Sequence, residues 1–186
     1  MVKRGFDLIV AATLLIVLSP VLLAAAISIR ATSPGPALFR QRRIGRRSVE
    51  FTILKFRTMK IGTPDLASHL VGPGSGRVTG LGYWLRRTSV DELPQLWNIL
   101  RGEMTLVGPR PALYNQDDLI VMRRAAGVDA LAPGVTGWAQ IHGRDEIPMT
   151  EKVARDRWYL EHCSFATDLW ILMRTAVTLF SSRGVY

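Results

Sequence analysis

The sequence predicts a mostly helical α+β protein: a re-entrant, proline-kinked membrane helix, a short β-hairpin and amphipathic interfacial helices. Three observations predict it. An apolar run over residues 8–29 is interrupted near its middle by Ser19-Pro20. Residues 37–56 hold two short segments on either side of Ile44-Gly45, the second partly alternating apolar with polar. Beyond them, apolar residues recur at helical spacing, as in Leu93, Leu96, Trp97 and Leu100.

The 186 residues suffice for one catalytic-sized body, so the expected division is an anchor over 1–30 and a membrane-associated domain over 31–186. A formal net charge of +9 and a pI near 10.6 call for an anionic partner. The mean hydropathy of +0.15 is high for so basic a chain, which favours a membrane surface or a lipid phosphate over nucleic acid. Cys163 stands alone, so no internal disulfide forms. His69, His142 and His162 are scattered without metal-ligand spacing and read as structural. No Walker loop, G-x-S-x-G or Cys-x-x-Cys occurs.

A straight helix over residues 8–29 would reach about 33 Å, just enough to cross a bilayer core. A cleaved signal peptide, with Lys3 and Arg4 as its charged start, conflicts with the apolar run continuing past Ala24-Ala25-Ala26. A single span conflicts with charge, because Lys3 and Arg4 precede the run and Arg30, Arg40, Arg42, Arg43, Arg46 and Arg47 follow it. Both flanks therefore favour the cytoplasmic side. Pro20 resolves this: it bends the helix, Ser19 can satisfy a backbone group the bend frees, and each arm spans about half the hydrocarbon. The favoured reading is a helix that enters and returns to the same face, with Asp7 at the entry pairing with an arginine.

Ser33-Pro34-Gly35-Pro36 then turns the chain into the arginine-rich hairpin, whose basic face is either solvated or set against anionic headgroups. Residues 61–79, rich in Gly and Pro, read as a loop able to act as a lid. In the next stretch, Ser89 and Glu92 have capping-box spacing, and a helix starting near Asp91 tolerates Pro94 in its first turn. Its dipole, with Arg86 and Arg87 just upstream, should hold Asp91 ionised. Taken alone, Asp-Glu there is an ordinary capped helix start. Gly108-Pro109-Arg110-Pro111 braces Arg110 between prolines, presenting a planar fork suited to phosphate oxygens. Helices follow over 114–126, stopped by Gly127; over 149–160, capped by Thr150; and over 166–180, apolar enough to pack on the core or lie on a membrane.

Five motifs now stand in order: Ser19-Pro20, Lys55-Phe56-Arg57-Thr58-Met59, Asp91-Glu92-Leu93-Pro94-Gln95-Leu96, Gly108-Pro109-Arg110-Pro111 and Pro133-Gly134-Val135-Thr136-Gly137. Together they resemble the bacterial sugar transferases, the monotopic phosphoglycosyl transferases, across nearly the whole chain. The likeness is to the minimal form without an N-terminal membrane bundle. The family pattern often has an acidic residue before Arg-x-Thr; here Gly76 precedes Arg77-Val78-Thr79. The resemblance implies transfer of a sugar phosphate from a UDP-sugar to a polyprenol phosphate of the undecaprenyl type, with Mg²⁺ required and UMP released. It implies a covalent phosphosugar on Asp91, Glu92 as a metal or orienting partner, and Mg²⁺ held by Asp91 and Glu92. It places Lys55, Arg57, Arg86, Arg110 and Arg144 on substrate phosphates or in ordering the site. It also implies the cytoplasmic face of a bacterial inner membrane, with no nucleic acid beyond the nucleotide; a homodimer stays open. The competing reading is a non-catalytic, membrane-tethered basic module for acidic lipid or nucleic acid.

Overall fold

A computed structural model describes residues 2–63, 76–143 and 147–180. It is α+β and mostly helical. The chain begins with α1 (Val2–Val17) and α2 (Ser19–Thr32), which meet at a 61° bend. Pro20 sits at the start of α2, where its missing N–H costs little, and Ser19 Oγ donates to Ile16 O at 2.7 Å. Proline and serine thus act at the break as the sequence predicts. Among the described residues no single helix is long and apolar enough to cross a membrane; the bent pair together passes that test by length and composition.

The hairpin forms as expected: β1 (Leu38–Ile44) pairs antiparallel with β2 (Glu50–Phe56) in the register Leu38↔Phe56 to Ile44↔Glu50. Two further pairings were not anticipated. The two-residue β4 (Ala112–Leu113) adds to the β1 edge, and β3 (Thr105–Val107) runs parallel to β5 (Gly134–Thr136). Between β2 and β3 lie α3 (Gly80–Arg87), a 3-10 turn at Val90–Glu92, and α4 (Gln95–Arg101). The chain closes with α5 (Asp117–Ala125), ended by Gly127 at φ 72, then α6 (Trp138–Ile141), α7 (Met149–His162) and α8 (Phe165–Phe180). Thr150 does not cap α7: Pro148 occupies that position and no side-chain cap bond forms.

The main core gathers Ala11 of α1, Ile53 of β2, Leu96 and Ile99 of α4, Leu106 of β3, Tyr159 of α7 and Ile171 of α8. α4 is docked by Asn98, which is fully buried. Its Nδ2 donates to Thr52 O at 2.7 Å and its Oδ1 accepts from Leu54 N at 3.0 Å, satisfying the outer edge of β2. The face of α4 that enters the core is therefore Gln95, Leu96, Asn98 and Ile99, and Trp97 is exposed. The apolar stripe read from the sequence is rotated by this polar anchor. Asp7 differs from expectation as well. Among the described residues it pairs with no arginine but accepts from Thr105 Oγ1 at 2.5 Å and Leu106 N at 3.3 Å, because α1 lies against β3.

Candidate active site

Asp91 and Glu92 sit in the 3-10 turn, not in the first turn of α4, which begins only at Gln95 after Pro94. Ser89 stands at φ 55 with no side-chain cap bond, so the capping box does not form. The left-handed residue turns the chain sharply from α3 into the acidic pair. Asp91 is 8% exposed and Glu92 half-buried.

Cations converge on this pair from three elements. Lys55, on β2, donates to Glu92 Oε1 at 2.7 Å. Arg110 Nη1, from the loop after β3, lies 3.6 Å from the same oxygen. Arg86, on α3, donates through Nε to Thr58 Oγ1 at 2.9 Å and acts electrostatically on Asp91. Thr58 in turn is fixed by Thr79, whose N–H donates to Thr58 O at 3.0 Å. A small, shallow depression lies beside Lys55 and Arg110, bounded also by Arg43, Gln95 and Gly134.

Electrostatics departs from the expected helix-dipole picture. Burial is the largest influence on Asp91 and Glu92 the next; they outweigh Lys55, Arg86 and Arg110 and raise its pKa to about 6. Asp91 is thus ionised at neutral pH but titrates just below it. Lys55 is pushed below the usual lysine value by burial, with Glu92 opposing. A buried carboxylate and a lysine shifted toward each other, with Arg86 and Arg110 acting on the same carboxylate, are the pattern of a reacting site.

The Lys55-to-Met59 motif serves three ends. Lys55 faces Glu92 and Thr58 holds Arg86, while Arg57 turns away: it donates to Ser33 O at 2.8 Å and to Pro34 O, tying the end of α2 to the hairpin. These contacts fit a part in ordering the site. Arg144 lies outside the described residues, as do His69 and the Gly-Pro-Gly part of the expected lid.

The two glycine motifs explain how Arg110 is placed. Gly108, Gly134 and Gly137 meet backbone to backbone, and a Cβ on either of the last two would collide with the Gly108 main chain. This close approach seats β5 against the loop that carries Arg110. Sequence reading missed Asn98, Arg43 and Arg123, which position the site from a distance. Only Asn98, a polar residue next to the stripe of α4, gave any local signal.

Among the described residues no group of three or more His, Cys, Asp or Glu side chains gathers. Two adjacent carboxylates, of which Glu92 disfavours the ionisation of Asp91, would suit Mg²⁺, which is commonly held by one or two carboxylates plus substrate phosphates. Asp91 and Glu92 would hold it.

A buried carboxylate that titrates near 6, with Lys55, Arg86 and Arg110 acting on it, is the chemistry of a phosphate-handling enzyme. The bacterial sugar transferase family model matches residues 1–182, and the chain belongs to that family. It is 43% identical to the UDP-glucose:undecaprenyl-phosphate glucose-1-phosphate transferase of Caulobacter vibrioides, over 99% of this chain and 72% of that one. It is 40% identical to the uncharacterised sugar transferase EpsL of Bacillus subtilis, over 98% of this chain and 89% of that one. The Escherichia coli enzyme with the same name as the Caulobacter protein is 36% identical, over all of this chain and 42% of its own length. The named activities among these relatives are transfers of phosphorus-containing groups.

Proposed function

We propose that this protein moves a sugar 1-phosphate from a UDP-sugar to a polyprenol phosphate of the undecaprenyl type, so initiating assembly of a glycoconjugate or polysaccharide. The names of the relatives support donor and acceptor: glucose in the Caulobacter and E. coli proteins, N-acetylgalactosamine in an Aeromonas hydrophila protein 34% identical to this chain. The observation that carries the reading is Asp91, buried, with a pKa near 6, beside Lys55, Arg86 and Arg110.

In this mechanism an Asp91 oxygen attacks the sugar-linked phosphorus of the donor. The bond from that phosphorus to the bridging oxygen breaks, and UMP leaves with the bridging oxygen. An oxygen of the polyprenol phosphate then attacks the same phosphorus and displaces the Asp91 carboxylate. Arg110 and Lys55 offset the charge of the donor's diphosphate, which would otherwise repel an attacking carboxylate. Glu92 keeps Lys55 and Arg110 together. Mg²⁺, when bound, supplies further neutralisation of phosphate oxygens.

Residues 1–30 act as the re-entrant anchor and 31–186 as the catalytic body, on the cytoplasmic face of a bacterial inner membrane. The clasp of Lys3, Arg4 and Asp7 onto the body supports this: Arg4 donates to Ile99 O at 2.7 Å, and Lys3 to Val107 O at 3.1 Å. The start of α1 and the exit of α2 thus meet the same body, and a straight span would have to give up either these bonds or the packing of Ala25 and Ile29 on Phe56 and Leu85. The exposed apolar residues of α8, Leu169, Met173 and Val177, suit the same interface.

Incubating the protein with a panel of UDP-sugars and Mg²⁺, without acceptor, tests the reading. UMP is released stoichiometrically and a phosphosugar remains on the peptide containing Asp91; Asp91→Asn abolishes both while membrane binding survives. Below pH about 6 the rate falls up to tenfold per pH unit, because protonation removes the nucleophile. UMP appearing only with polyprenol phosphate, with no trapped adduct, replaces the covalent route by direct transfer. A purely binding module would tolerate Asp91→Asn.

A further inference from the structure

The loop Gly108-Pro109-Arg110-Pro111 is gripped along its backbone from four sides. Gly108 N donates to Thr136 O at 2.8 Å, and Pro109 O accepts from Gly134 N at 2.9 Å. The other two grips come from buried arginines. Arg43 Nη1 donates to Pro111 O at 3.0 Å, and Arg123 Nη1 donates to Arg110 O at 2.7 Å. Arg123 is 8% exposed, and its Nε and Nη2 both donate to Asp156 Oδ2, at 3.0 and 2.6 Å. Asp156, on α7, is 2% exposed.

A buried ion pair is an expensive way to join α5 to α7, since apolar side chains of similar volume often do that as well or better. The pair gains its meaning from the third bond. Asp156 fixes the plane of the guanidinium, and the guanidinium fixes the carbonyl of the residue whose own fork faces Glu92. We propose that Arg123, oriented by Asp156, is the positioning residue for Arg110, setting the angle at which the Arg110 fork meets the donor's diphosphate. The proposal rests on the transferase reading for its substrate but not for its geometry. Arg123 touches no substrate; it acts through the backbone of Arg110. Its substitution by lysine, a point charge, cannot hold both partners in plane.

The test is a double-mutant cycle on UMP release with amide hydrogen exchange beside it. Arg110→Lys and Arg123→Met should each lower kcat/KM for the donor by about 10- to 100-fold, the scale of one charge-assisted hydrogen bond. The double variant should fall no more than about threefold below the weaker single one, because both remove the same contact. Exchange at the Gly108 and Gly134 amides, which bond the loop to β5, should quicken at least about tenfold in Arg123→Met, while the β1–β2 hairpin keeps its protection. Losses that multiply, unchanged exchange at Gly108 and Gly134, or loosening spread equally through the hairpin would each overturn the proposal. Should Arg123→Met not fold, Asp156→Asn keeps the volume and one acceptor, and should show the same pattern at about 3- to 10-fold. If the unaltered protein releases no UMP from any donor, the transferase reading fails, and the exchange measurement alone decides the positioning role.

Discussion

The two arms of the bent N-terminal helix pair are similar in length and both apolar, yet they are held in different ways. α1 turns its charges inward. Lys3 reaches Asp168 at 2.5 Å, Arg4 caps the end of α4 through Ile99 O and Leu100 O, and Asp7 is 2% exposed against β3. Ala11, the next residue on that face, is fully buried. α2 buries only Ala25 and Ile29, against Phe56 and Leu85, and leaves Val21, Leu23 and Ile27 exposed. The head of α1 is fastened by several polar side-chain bonds to the rest of the protein; α2 is tied by such bonds only just past its end, where Arg57 holds the carbonyls of Ser33 and Pro34, and both arms leave apolar residues exposed, Ile9 and Ile16 on α1 among them. Charges at the head of an apolar run are therefore not only signals of orientation. Here Lys3 and Arg4 are ligands of the protein's own backbone, and the weight of the orientation argument shifts to the basic flank after α2.

The largest effect that would break this contrast is one of topology. With Cys163 replaced by serine, cysteines placed near Lys3 and near Arg47 should label from the same side of sealed vesicles. Labelling from opposite sides would end the re-entrant reading. Pro20→Leu removes the cause of the bend and should send part of the population to opposite-side labelling. Next in size is the clasp. Asp7→Ala leaves Thr105 Oγ1 and Leu106 N without their acceptor, at a cost on the order of 2–3 kcal/mol. The melting midpoint in detergent should fall by about 4–12 °C. The smallest effect is expected in α2. Leu23→Asp should leave that midpoint within about 2 °C, since the residue is 63% exposed, and should weaken partition into vesicles by about 3 kcal/mol. Equal destabilisation by the two substitutions would erase the distinction between the arms.

Features set by a few neighbouring residues were legible in the sequence. Ser19-Pro20 marks the bend because proline acts on its own turn, and the hairpin follows from adjacent segments and a short turn. The end of α5 at Gly127 is likewise local. The parallel β3–β5 pair was not legible, since three-residue strands carry no period and their partners lie about 30 residues apart. The site was legible as a set of residue types but not as electrostatics. A helix dipole can be read from sequence, whereas the burial that overrides it at Asp91 depends on how α3, α4 and β2 close around the turn. Arg57 shows the same limit: within its motif it looks like its neighbour Lys55, and only the fold sends it to the carbonyls of Ser33 and Pro34. Arg123 and Asp156 are separated by 33 positions and give no spacing signal.

The backbone contact among Gly108, Gly134 and Gly137 has a consequence for how such a site can change over time. Two stretches of main chain that touch without side chains between them form a joint with almost no tolerance, because even one added methyl must displace a neighbouring strand. A new donor sugar cannot be accommodated by remodelling this crossing. On the proposed transferase reading, diversity among sugars must instead be written into residues that lie near Arg110 without sharing the joint, leaving Arg110 itself where it stands. The joint separates what the site does from what it does it to.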